Sequence, residues 1–127
     1  MHTVSGKVIK GRGYGRKIGF PTVNLDRKQY VRLPKKPRLG IYAGTAHIQG
    51  EEKEYRTAIV IGPRERNGLP KIEAHLLSFT GVLYGRRIEL SLTKYLRGFM
   101  SFTGEEKMRR QIIKDIKTTR QVINLTR

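Results

Sequence analysis

Apolar residues in this chain come in short β-branched runs, and glycine, proline or charge closes each run before it could build a long helix. The clearest five span residues 4–11 (VSGKVIKG), 40–48 (GIYAGTAHI), 55–62 (YRTAIVIG), 71–79 (KIEAHLLSF) and 86–96 (RRIELSLTKYL). Runs of this length read as strands, which bury one face by period-two alternation. QGEEKE follows the second run, Gly62-Pro63 ends the third, and TGVLYG joins the last two. All five prolines lie outside the strand centres. Such punctuation predicts a mainly β chain closed into an antiparallel barrel or sandwich.

Only the C-terminal stretch changes period. Met108, Ile112 and Ile116 recur every four residues, with Ile113 and Ile123 close to that face. The spacing predicts a helix over about 104–124 that lays an apolar stripe on a barrel covering about 1–100. Thr103 and Glu106 have the spacing of a capping box. Arg109, Arg110, Lys114 and Lys117 are expected in solvent.

Composition removes several function classes. A length of 127 residues fits one domain with one core. There is no cysteine, which excludes disulfides, thiolate zinc sites and thiol catalysis, and three histidines leave little for a His-based metal site. No apolar run approaches the roughly 20 residues of a membrane helix. The N-terminal MHTVSGKVIKG lacks the apolar stretch of a signal peptide. The expectation is a cytoplasmic protein with no membrane partner.

Charge points to anions. Lys and Arg number 27 against 10 Asp and Glu, a formal net charge of +17. Residues 1–40 hold eleven of the cations and a single acid, Asp26. Nucleic acid, an acidic membrane surface or a phosphorylated small molecule would each be attracted. Charge carries no chemistry, so motifs must choose among them.

The stretch GRGYGRKIGFPTVNLD (11–26) combines glycines and cations as a phosphate cradle would. Gly11-x-Gly13-x-Gly15 superficially matches a dinucleotide fingerprint, but that motif opens a helix, and Phe20-Pro21 turns the chain extended instead. No G-x-x-x-x-G-K-[ST] string is present. A flexible glycine loop can still wrap an anion with backbone N–H groups, and Arg12, Arg16 and Lys17 add charge. Thr22 and Asn24 sit two apart, so an extended chain puts both side chains on one face. A hydroxyl and an amide carbonyl there could meet a hard cation such as Mg²⁺. The bland alternatives are a basic hairpin and a Pro-Thr-Asn turn.

At this point GRGYGRKIGFPTVNL resembles the signature of the riboflavin kinases, a Gly-rich loop followed by Pro-Thr-Ala-Asn. LGIYAGTA (39–46) is similar to the family's Gly-Val/Ile-Tyr strand, and KIEAHLLSF to its Glu-x-His strand. LYGRRIELSLTKYLRGFMSF is similar to the Leu-Tyr-Gly to Leu-Arg-x-x-x-x-Phe segment, and EEKMRRQIIKDI stands where the family has its C-terminal helix. Five blocks occur in family order over nearly the whole chain.

The resemblance implies a six-stranded antiparallel Greek-key-like barrel with a C-terminal α-helix. It implies transfer of the ATP γ-phosphate to the 5′-hydroxyl of riboflavin, giving FMN and ADP, with Mg²⁺ or another divalent cation. Carried over by position, Gly11, Lys17, Thr22 and Asn24 would contact the nucleotide, with Thr22 and Asn24 at the metal. Leu76, Ser78 and Tyr84 would surround the adenosine. Arg97, Met100 and Phe102 would hold the flavin. The family's catalytic glutamate falls on Glu73, which is one of two acids inside predicted strands, the other being Glu89. A monomer is expected.

Phosphoryl transfer relies on positioning and charge neutralisation, which suits these residue types. Without the resemblance, Glu73 would read as a strand carboxylate paired with a cation, and His47 and His75 as packed strand histidines. The chain departs from the family pattern in three places. IGPRERNGLP replaces an Arg-Pro-Thr-Phe stretch, Ser78 stands where many members carry Asp, and Met100 where some carry a cation. An adenylyltransferase domain, which bifunctional members place before the kinase, is not recognised, so FAD synthesis is not expected. The rival reading is a non-enzymatic basic β-barrel that binds RNA or DNA through residues 1–40. Any nucleic-acid binding by a kinase of this kind is expected to be non-specific.

Overall fold

The computed structural model describes residues 2–11 and 19–125. Six strands, β1 (His2–Ile9), β2 (Val23–Leu25), β3 (Gly40–Ile48), β4 (Glu54–Arg64), β5 (Pro70–Leu76) and β6 (Arg87–Arg97), pair antiparallel throughout. Their order, β1-β2-β5-β4-β3-β6 with β6 back on β1, closes a Greek-key-like barrel without a free edge. Two helices complete the chain, α1 (Lys28–Arg32) and α2 (Glu105–Val122).

Alternation builds the core. Val4 and Val8 of β1, Ile59 and Ile61 of β4, Ile72 and Ala74 of β5, and Ile88 and Leu90 of β6 all point inward and are almost fully buried. Each large aliphatic side chain among them contributes about 1.5–3 kcal/mol by leaving water. Tyr30 of α1 and Leu83 of the β5–β6 connection plug the two ends. Tyr42 donates to the Arg38 carbonyl at 2.6 Å, pinning the start of β3. Burial first, then the Tyr95 phenol, raises the Tyr42 pKa, with Arg38 opposing, so it stays a donor at neutral pH. Where β3 and β6 shift register between Ala43 and Gly44, the backbones approach so closely that a Cβ at Gly44 would fall on the Ser91 carbonyl.

Several expectations need correction. The sixth strand is β2, three residues that begin within the Pro-Thr-Val-Asn run and end at Leu25, and α1 was not foreseen. The strand expected over 71–79 ends at Leu76, because Ser78 takes a left-handed φ of 64° and turns the chain away. β4 runs past Gly62-Pro63 to Arg64, with a register shift there that accommodates the proline as a bulge. The Thr103–Glu106 capping box does not form: Gly104, at φ 101°, takes the N-cap, and no side chain caps the helix. Ile113 is half exposed, since it lies about 100° around the helix from Ile112 and only one of them can face the barrel. Arg109 is half-buried rather than solvated.

Candidate active site

β5 sorts the site residues by parity. Ile72, Ala74 and Leu76 enter the core, so Lys71, Glu73 and His75 stand on the outer face. Beside them β4 presents Ala58 and Val60, and β3 presents Ile41. Helix α2 packs above β3 and β4 and contributes Met108, Ile112 and Ile116 as a roof. Between floor and roof lies a predominantly apolar cleft of about 270 Å³, walled by Arg97, Phe99, Met100 and Phe102 and ended by Phe20 and Thr22.

A second cleft, about 260 Å³, opens at the end of β1. Val8, Ile9, Lys10 and Gly11 form one side, Thr22, Val23 and Asn24 the floor, and residues 81–84 with Tyr84 the other side. Thr22 lines both clefts. Asn24 and Glu73 are direct cross-strand partners, so their side chains share a face. Glu73 lines the apolar cleft and also the adjoining hollow with Gly11 and Asn24. A hydroxyl, an amide and a carboxylate thus meet where the clefts join. Neither Thr22, Asn24 nor Glu73 gives its side chain to another described residue in an ion pair or hydrogen bond. Gly11 packs directly on Asn24: a Cβ there would displace the Asn24 amide.

Two clips hold the walls. Arg97 donates Nε to both Asp115 carboxylate oxygens (3.1 and 3.2 Å) and Nη2 to Oδ2 (2.7 Å), tying the end of β6 to α2. Gln111 donates to the same carboxylate at 3.0 Å, and Arg97 Nη1 donates to Gly98 O at 3.0 Å. The second clip is at the cleft mouth. His75 Nδ1 lies 2.6 Å from Pro21 O, Phe20 stands edge-on to the His75 ring, and the Arg109 guanidinium covers Phe20 at 5.7 Å.

The His75 clip holds the peptide that carries Thr22 without reaching either oxygen donor itself. Replacing His75 by Ala removes one hydrogen bond and an edge contact. ATP affinity or turnover is expected to fall roughly 3–10-fold, as one such bond allows. Steady-state kinetics of a folded His75→Ala variant check this; unchanged constants would reduce His75 to a packing residue.

The structure brings together Gly11, Thr22, Asn24 and Tyr84 in the polar cleft and Glu73, Arg97, Met100 and Phe102 in the apolar one. Lys17 lies outside the described residues, as do Arg12, Gly13, Gly15 and Arg16. Leu76 is buried and borders a third hollow with Pro21, Phe79 and Gly81. Ser78 is not brought to the polar cleft; its left-handed turn places it in a hollow with Tyr55, Arg56 and Arg120. Sequence reading missed the cleft roles of Phe20, Phe99 and His75 and the Arg97–Asp115 clip. The Phe20-Pro21 and Glu-x-His spacings carried the only signal for the first and third.

Among the described residues no group of three or more His, Cys, Asp or Glu is placed to hold a metal. None of their helices is long and apolar enough to cross a membrane. What the geometry defines is a closed barrel with two clefts that share Thr22, and the Glu73 carboxylate beside them, uncommitted to other described residues.

Comparison with known proteins agrees. A model of the flavokinase family, riboflavin kinase, matches residues 1–123. The bifunctional riboflavin kinase/FMN adenylyltransferase of Escherichia coli K12 is 32% identical over 98% of this chain and 39% of its own length. The RNA-binding riboflavin kinase RibR of Bacillus subtilis is 33% identical over 91% of this chain and 49% of its own. The structure of riboflavin kinase from Trypanosoma brucei superposes with a TM-score of 0.63 at 25% identity, covering 94% of this chain and 77% of that one. The chain belongs to the riboflavin kinase family. It spans about 39% of the length of the bifunctional relatives.

Proposed function

We propose that this chain transfers the γ-phosphate of ATP to the 5′-hydroxyl of riboflavin, releasing FMN and ADP, and that it acts as a monomer in the cytoplasm. The observation that carries this reading is the meeting of an apolar and a polar cleft at Thr22, Asn24 and Glu73. A flat tricyclic ring suits the apolar cleft, between Ala58 and Val60 below and Met108, Ile112 and Ile116 above. The triphosphate suits the polar one, where Gly11 and Lys10 line one wall and Tyr84 can border the adenosine. The ribityl chain then passes Glu73 to reach the phosphate.

The residues present fit a divalent cation held with the substrate. Thr22 and Asn24 offer two oxygen donors on one face, uncommitted to other described residues, which suits Mg²⁺, since it takes few protein ligands and completes its shell from phosphates and water. When bound, the cation would neutralise charge on the phosphates. Glu73 accepts the proton of the attacking hydroxyl. Lys17 is proposed to add charge at the phosphates, and Arg97, Met100 and Phe102 to hold the flavin against α2. In this arrangement Asp115 occupies most of the Arg97 guanidinium, so Arg97 serves chiefly as a fixed wall.

Incubation with riboflavin, ATP and Mg²⁺, with flavins separated by chromatography, tests the reading: FMN should accumulate, and its absence from a folded preparation would refute it. Thr22→Val keeps the shape and removes the hydroxyl. Losing one oxygen donor to a charged centre is expected to lower turnover roughly 10–100-fold. Thermal stability should be little changed, because Thr22 is outside the core. A folded Thr22→Val protein with full activity would take the metal role away from this residue.

A further inference from the structure

The kinase site leaves most of the positive charge unused. Residues 27–38 contain Arg27, Lys28, Arg32, Lys35, Lys36 and Arg38 and no acid, and the end of β4 and the turn after it add Arg64 and Arg66. The topology puts both segments at one end of the barrel, where β2 and β4 finish and β3 and β5 begin. A direct bond joins them: Arg27 Nη1 donates to Glu65 at 2.6 Å and to Pro70 O at 3.1 Å. The two acids in reach are already engaged. Glu65 holds Arg27, and Asp26 accepts from the Lys7 and Lys28 backbone amides.

This surface is built, not a loose tail. Tyr30 is anchored in the core, Lys36 donates to Val31 O and Leu33 O, and the Arg38 guanidinium stacks on Tyr95 at 4.2 Å. Arg64 donates to Gly68 O at 3.0 Å. Lys28, Arg32, Lys35 and Arg66 remain exposed, with no side-chain partner among the described residues. None of the eight cations lines either cleft, and Arg27 alone of them borders the adjoining hollow.

We propose that this barrel end is a docking surface for the phosphodiester backbone of a nucleic acid. The cations are spread over α1, the segment that follows it, and the end of β4 with the turn after it, which suits an extended chain of regularly spaced charges better than a single phosphate. Five of the eight are Arg, whose planar fork matches phosphate oxygens in pairs. Neither cationic segment carries an exposed aromatic to stack bases, and the nearby Phe99 walls the apolar cleft, so the contact reads charge and not sequence. Because the surface excludes the cleft residues, the protein can hold nucleic acid with riboflavin and ATP in place. The inference goes beyond the kinase reading and does not depend on it.

Binding of a short fluorescein-labelled single-stranded RNA, followed by anisotropy across a salt series, tests the assignment, with DNA of the same sequence as a second arm. Wild-type affinity should fall steeply with salt and differ little between base sequences. Neutralising Lys28, Arg32, Lys35 and Arg66 together to Gln should flatten the log–log salt slope by about 2–3, near 0.7 per lost phosphate contact on a single strand. FMN formation should be unchanged in that variant. The control neutralises four exposed cations of α2, Lys107, Lys114, Lys117 and Arg120, and should keep most of the wild-type slope. Equal flattening by the two variants, no binding by the wild type, or equally tight binding of a polyglutamate chain of matched charge would each overturn the proposal. Preference for RNA over DNA would add a 2′-hydroxyl contact; equal binding fits the backbone alone.

Discussion

Replacing Glu73 by Gln should lower the rate of FMN formation by about 10²–10⁴-fold, the usual worth of a positioned general base. The ribityl hydroxyl is a poor nucleophile while it keeps its proton, and Glu73 is the carboxylate standing between the clefts. Gln keeps the size and most hydrogen bonding but cannot take the proton. Riboflavin and ATP should therefore still bind, and the melting temperature should hardly move. The competing role, a strand carboxylate paired with a cation, predicts the reverse pattern of lost stability with preserved turnover. No ion pair to Glu73 is present among the described residues, which favours the catalytic role. Near-wild-type turnover by the Gln variant would end the claim.

Asp115→Ala should be the most damaging single change for the fold around the apolar cleft. The Arg97 and Asp115 side chains are only 20% and 10% exposed, so truncating the carboxylate strands a largely buried guanidinium and the Gln111 amide together. Breaking a buried pair from one side costs about 3–5 kcal/mol, and partial access of water to Arg97 places this case near 2–4 kcal/mol. For a chain of this size that lowers the melting temperature by roughly 10 °C. The helix that roofs the cleft would loosen with it, so KM for riboflavin should rise more than KM for ATP. Calorimetry with two-substrate kinetics checks both, and an unchanged melting temperature would show that α2 is held by its apolar stripe alone.

How much of this was legible beforehand depended on the range of each interaction. Five strands could be read because burial of one face imprints alternation on sequences such as KIEAHL, and the helix because Met108, Ile112 and Ile116 repeat every turn. β2 could not, since three residues are too few to show a period and its partners are set by β1 and β5. The capping box misled because Gly104 alone at that position accepts a positive φ, which moves Thr103 one residue too far out. The candidate site divides along the same line. Thr22, Asn24 and Glu73 are local motif positions, and register alone then brings Asn24 and Glu73 together. Asp115 gave no signal, because its partner is 18 residues away on the end of a strand. Ser78 lies apart from the polar cleft through one backbone angle that no side-chain pattern announces.

The most direct test follows the phosphate itself. ATP labelled at the γ-position, incubated with riboflavin, Mg²⁺ and the protein, should deliver its label to the flavin, one FMN for each ADP formed, and riboflavin should be required for ADP release. Label recovered only as inorganic phosphate, or riboflavin bound without acquiring label, would contradict the assignment of these two clefts to phosphoryl transfer.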